Sequence, residues 1–271
     1  MNMLTSSRRV RGARASAIGR GALLAFAVFL LGWLAWAAVS WASYGHGTRR
    51  TALDGEVRRF LPDYEVEELF QARINAPAPL TFASAESMSL TSSPLIRGIF
   101  RARELLMGGT PSKPLPSGGV VEQMRTMGWG VLSAAPEREI VLGAITQPWK
   151  RDVIFRALSP EEFAGFHDPE FVKIVVTIGA DPIDSATSRL RIGTYVATTD
   201  SVARARFRRY WAVFSPGILL IRAIALNAVK HEAERRYRML ASSSAAAEGD
   251  SIDAVRSEGH VSAPPHSRGV R

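Results

Sequence analysis

The stretch from Asp200 to Arg238 places the tightest constraint on the fold. Asp200 has N-cap chemistry. Phe207, Tyr210, Trp211 and Phe214 then recur at three- and four-residue spacing, which sets them on one helical face. Ser215-Pro216 interrupts the run, because proline has no N–H for an i→i−4 bond but suits the first turn of a new helix capped by Ser215. The pattern therefore predicts a second helix from Pro216, carrying Ile218, Leu219, Leu220, Ile221, Ile224, Ala225, Leu226 and Val229. That surface is too wide for a single apolar stripe, so it needs cover over much of its circumference. The residues ahead of it must supply the cover, and a curved sheet is the form they predict.

Those residues read mostly as short strands. From Tyr64 to Ile74 an alternating face (Val66, Leu69 or Phe70, Ala72, Ile74) predicts a first strand, ended by Asn75-Ala76-Pro77. A short helix follows Pro79, and Thr91-Ser92-Ser93-Pro94 caps another with Leu95, Ile96, Ile99, Phe100, Leu105 and Leu106 on its apolar side. Gly108 to Gly119 reads as a mobile loop. Strands are expected at residues 128–132, 139–145 and 153–158, and Ser159-Pro160-Glu161-Glu162 has helix-start chemistry. Residues 171–180 and 189–198, joined by the turn residues Asp181-Pro182 and Asp184-Ser185, predict an antiparallel hairpin.

The N-terminal region carries a different signal. Residues 1–20 are basic, with five Arg and no acid, and Gly21 to Ala42 carry no charge. As a helix that run is about 33 Å long, enough for a hydrocarbon core of roughly 30 Å. Trp33, Trp36, Trp41 and Tyr44 crowd toward its far end, as at a membrane interface. Residues 21–42 are expected to be an uncleaved transmembrane helix whose partner is the lipid bilayer; a cleaved signal peptide is the rival reading. Five Arg before the span against Arg49, Arg50, Arg58 and Arg59 after it favour a cytoplasmic N-terminus and an exported domain. The organisation expected is a basic segment (1–20), the span (21–42), a juxtamembrane linker (43–62), a folded domain (63–240) and a disordered tail (241–271). The net charge of +9 is concentrated beside the span: residues 1–59 hold nine Arg against Asp54 and Glu56. It therefore reads as a topology signal, and no nucleic-acid partner is expected.

Strand, two short helices, a series of antiparallel strands and a long final helix form an order that resembles the SRPBCC superfamily. This is the helix-grip fold of START lipid-transfer domains, polyketide cyclases and the birch-pollen-allergen group. The likeness is carried by residues 72–77 (Ala-Arg-Ile-Asn-Ala-Pro) with Phe82, Gly128-Trp129, Glu139 to Gly143, and Thr187 to Thr199 leading into Phe207-Arg208-Arg209-Tyr210-Trp211. It spans roughly residues 63–236. The resemblance implies an α+β fold in which a curved antiparallel sheet wraps a long C-terminal helix, with an apolar ligand held between them. It brings no family-wide catalytic motif.

Individual residues add little chemistry. The chain has no cysteine, which excludes disulfides and thiolate sites. His231-Glu232 lacks the second histidine of a zinc-protease helix, and residues 108–113 lack P-loop spacing. No metal, cofactor or catalytic residue is expected. Arg204, Arg206, Arg208 and Arg209 read as a solvated helix side or as contacts to lipid phosphate. Trp129, Trp149, Phe155, Trp211 and Phe214, with Arg191, Thr194 and Tyr195 as polar groups, are the candidate lining of a ligand cavity; core packing is the alternative for the aromatic residues. Three functions remain open: a membrane-anchored, non-catalytic domain binding a hydrophobic small molecule or lipid, a cyclase- or hydrolase-like enzyme using the same cavity, and a structural domain with a filled core.

Overall fold

A computed structural model describes residues 6–45, 55–110 and 116–258. Helix α1 (Ser6–Ser43) leads to a short α2 (Gly55–Phe60) and strand β1 (Val66–Ile74). Helices α3 (Ala78–Ser87), α4 (Pro94–Met107) and α5 (Val120–Thr126) follow, then β2 (Gly130–Ala135), β3 (Glu139–Thr146), α6 (Pro160–Ala164), β4 (Val172–Pro182), β5 (Ser188–Thr198) and α7 (Ser201–Glu258). The five strands form one antiparallel sheet in the order β1-β5-β4-β3-β2. With α7 laid across the sheet, this is the α+β helix-grip architecture expected from the sequence.

Alternation along the strands gives the sheet two covered faces. One face presents Ile74, Leu142, Ala144, Val176, Ile178 and Leu190 to α3, α5 and the part of α7 carrying Val229 and Ala233. The opposite face presents Val141, Ile145, Val175 and Tyr195 to Phe60 of α2 and Phe163 of α6. A third cluster closes one end of the α7 side, where Phe207 and Trp211 pack on Val66, Val172 and Val196 and against Tyr44.

Several sequence expectations need correction. Pro216 does not end a helix: α7 is continuous through it. One missing N–H costs one backbone bond, and neighbours brace the spot on both sides. Trp36 Nε1 of α1 donates to Ser215 Oγ at 3.0 Å, and Ile99 of α4 lies close over Gly217. Residues 153–158 form no strand, only the single bridge between Ile145 and Arg156. Strand β2 already occupies the edge of β3 from Glu139 to Gly143, which leaves no length for another ladder. Part of the expected linker forms α2, and α5, for which the sequence predicts no element, is pinned by the buried Gln123 side chain. Gln123 accepts from Leu90 N at 2.8 Å and donates to Ser89 Oγ and the Pro116 carbonyl. Helix α7 also continues to Glu258, where a disordered tail was expected. Residues 245–247 are alanines, the best helix formers, and Ser242, Ser243 and Ser244 bond back to carbonyls one turn earlier. Residues 259–271, the connector at 46–54 and the loop segment 111–115 lie outside the described residues.

Among the described residues, two helices are long and apolar enough to cross a membrane, over Leu23–Ser43 and Ser201–Ser244. They differ in their surroundings. Helix α7 lays one side on the sheet, burying Phe207, Ala225, Val229 and Ala233. The first half of the α1 run is bare, with Leu23, Val28 and Leu31 each more than 60% exposed. Only its C-terminal turns dock on α7, in antiparallel sense. Besides the Trp36 bond, Arg208 donates to the Trp41 carbonyl at 2.6 Å and stacks 4.2 Å from its ring centroid.

Candidate functional site

The α7 side of the sheet is not one continuous core. The inner cluster around Leu142 and Val229 and the outer cluster around Val172 and Trp211 meet at Ile174, which borders both. Ile174 stays partly exposed on a central strand while Val172 and Val176, its neighbours on the same face, are buried. Ile174 thus marks the seam between the two clusters.

The chemistry of the junction is polar, and the strand register defines it. Glu68 of β1 pairs with Thr194 of β5, Thr194 with Val176 of β4, and Val176 with Leu142 of β3. One transverse row thus carries a carboxylate, a hydroxyl and two aliphatic side chains on the face covered by α7. Above it runs α7, where Ile218 packs with the outer cluster and Leu226 with the inner one. Arg222 lies midway, four residues from each, so one helical face places it over the junction.

These polar groups are poorly satisfied. Arg222 keeps partial exposure as a residue, yet its Nε is sealed from water without a hydrogen-bond partner, and the Thr194 hydroxyl is in the same condition. Burial pushes the Arg222 guanidinium down to about 10, with the nearby Glu68 carboxylate only partly offsetting it. Burial likewise raises the Glu68 carboxyl above its ordinary value, and the charge of Arg222 partly opposes this. The two attract each other through space, with no hydrogen bond between them. A buried polar atom lacking a partner costs about 1–3 kcal/mol, so such groups in a native fold call for an explanation.

The residues expected to line a cavity are dispersed. Thr194 is at the junction. Trp211 is in the outer cluster, with Trp149 packed against it. Phe214 stacks on Tyr210 at 4.9 Å on α7. Trp129 and Phe155 lie against each other, centroids 5.3 Å apart, beside the inner cluster. Arg191 and Tyr195 correct the expectation, because alternation turns both to the opposite face. Arg191 is bonded there to Asp181 at 2.5 Å and Glu139 at 3.3 Å, and Tyr195 meets Tyr64 edge-on. Two open depressions, of about 690 and 440 Å³, also lie away from the junction, beside Glu86 and Arg125 and beside Pro77 and Arg138.

Sequence reasoning missed Glu68 and Arg222, although both left a signal. Glu68 falls in the inward phase of Val66 and Ile74, and Arg222 in the phase of Ile218, Ala225 and Val229. A charge in register with an apolar stripe is the informative exception to burial rules.

No protein-family profile matches this sequence, and no curated protein matches it. The solved structures to which the chain is similar, at low TM-score, include the Zhui aromatase/cyclase from Streptomyces sp. R1128 (16% identity, 63% of this chain, 94% of that one, TM-score 0.28), a conserved protein from Geobacillus kaustophilus (11%, 63%, 96%, 0.28) and the di-domain ARO/CYC BexL (16%, 62%, 46%, 0.23).

Proposed function

We propose that this chain is a membrane-anchored, non-catalytic domain that binds a hydrophobic small molecule or lipid between α7 and the sheet, with the ligand's polar end at Arg222, Glu68 and Thr194. The observation that carries the reading is the sealed, partnerless Nε of Arg222 at the break between two apolar clusters. A ligand with an apolar body and a polar end would lie along the seam and satisfy those groups together. Arginine stays protonated near neutral pH and Glu68 is not bonded to it, so the pair is suited to holding a ligand rather than to moving protons.

The anchoring part of the reading rests on the charge-free run 21–42 of α1, bare over Leu23 to Leu31, and the arginine distribution favours a cytoplasmic N-terminus with the domain exported. Protease protection in intact cells and spheroplasts tests that orientation; protection of the domain in spheroplasts overturns it. Ligand binding is tested on the full chain in detergent by thermal unfolding with fatty acids, lysophospholipids and isoprenoids. A ligand selective for the folded state stabilises it by about 2.7 kcal/mol at a concentration one hundred times Kd. The absence of any shift across the panel refutes the binding reading.

A further inference from the structure

Helix α4 bears an apolar surface that nothing among the described residues covers. Its inward side holds the buried Ile96 and the partly buried Ile99 and Arg103. Adjoining it, and running round the helix away from it, Leu95, Leu106 and Leu105 are 53, 74 and 66% exposed. At 100° per residue, Leu95, Ala102 and Leu106 fall within one narrow arc and Leu105 lies at its edge. Two exposed arginines, Arg97 and Arg101, flank that edge. Gly108 ends the helix in the left-handed conformation, and Thr110 N donates to Asp152 at 2.9 Å. This ties α4 to a loop displaying Lys150, Arg151 and, 77% exposed, Ile154. The acids nearby are engaged: Glu104 pairs with Arg101 at 3.2 Å, and Asp152 accepts from Thr110.

The position of α4 decides what covers this surface. Helix α4 crosses α7 at Gly217, two residues along from Ser215, where Trp36 of α1 docks. The uncovered leucines and the charge-free run of α1 therefore leave the domain at the same level of α7.

We infer that α4 is a second membrane contact: its Leu95–Leu105–Leu106 strip inserts into the interface of the bilayer that α1 spans, and Arg97 and Arg101 meet anionic headgroups. An apolar strip bordered by arginines is the pattern of a helix lying in the plane of an interface. The inference rests on the anchoring part of the proposed function and is independent of the ligand.

The absence of cysteine makes the test direct. Single-cysteine variants of the full chain, Leu95→Cys, Leu106→Cys, Leu31→Cys and Ser185→Cys, are labelled with a fluorophore. They are then reconstituted into nanodiscs of phosphatidylcholine with phosphatidylglycerol, containing an acyl-chain quencher. Leu31 reports on the anchor, and Ser185, in the exposed β4–β5 turn at the other end of the sheet, is the reference. Quenching at Leu95 and Leu106 is expected to exceed that at Ser185 by about threefold, because an interfacial helix sinks its apolar face roughly 5–10 Å into the headgroup–acyl boundary. Adding Arg97→Gln and Arg101→Gln is expected to reduce that excess, and to do so only in discs containing phosphatidylglycerol. If Leu31 is quenched while Leu95 and Leu106 match Ser185, the α4 contact is overturned and the anchor stands. If Leu31 is unquenched, both fall. Labels at Leu95 and Leu106 shielded by self-association rather than quenched by lipid also overturn it, in favour of a second copy of the chain.

Discussion

Replacing Arg222 with methionine should make the protein more stable while abolishing the ligand binding proposed above. Methionine keeps an unbranched apolar stem over Ile174 and Thr194 but removes the charge and the sealed Nε. The guanidinium's fall from its ordinary value to about 10, at about 1.4 kcal/mol for each tenfold change in proton affinity, corresponds to a penalty of about 3 kcal/mol on the charged form. That figure already contains the attraction to Glu68, and partial exposure of the residue trims it, leaving an expected gain of about 1–2 kcal/mol. This agrees with the finding that exchanging poorly paired buried charge for packed apolar atoms is neutral or stabilising. Guanidinium unfolding of the full chain in detergent, followed by tryptophan fluorescence, should show a higher midpoint with an unchanged slope. Glu68→Gln in the same background isolates the carboxylate's share. A loss of more than about 1 kcal/mol in the single variant would refute the reasoning, since Arg222 would then be a satisfied structural residue rather than a group awaiting a partner.

Three further outcomes follow from the same geometry. Gly143→Ala should cost about 1–3 kcal/mol, read as a lower urea midpoint, because an added Cβ would sit 2.8 Å from Leu132 Cγ and 3.0 Å from Phe163 Cε2. Asp200→Ala should lower Tm by circular dichroism, as Asp200 accepts from Ala203 N at 2.6 Å and Glu170 N at 2.8 Å. Those bonds hold its carboxyl below the usual 3.8, so its contribution is present above that pH and lost as pH falls through the lowered value. Glu68 has the opposite sign: its carboxyl lies above the ordinary 4.5, so the folded state holds the extra proton and stability from this group rises as pH falls toward 4.5. The stability of Glu68→Gln relative to the parent should therefore increase from pH 4.5 to 7, and a flat difference would contradict the assigned burial.

Much of the architecture was legible because it is written in periodicities. Alternation at residues 189–198, the Asp184-Ser185 turn and the Ser159/Glu162 capping box each specify their element locally. Failures came where distant contacts decide. Pro216 stays helical because α1 and α4 clasp it, and residues 153–158 lose their ladder because β2 arrives first. At the site, Thr194 was found but paired with Arg191 and Tyr195, although neighbours in a strand must point to opposite faces. Glu68 and Arg222 were overlooked because each looks ordinary until the register sets it among aliphatic side chains.

Pro216 leaves the carbonyl of Ala212 without its intrahelical donor, so α7 is softest where the anchor and α4 grip it. One half of the rod is fastened to the tether, and the other roofs the Arg222 junction. Under the anchoring and binding proposed above, tension or tilt imposed on α1 would reach the roof through the turn at Pro216, which would make opening of the seam respond to the surrounding bilayer.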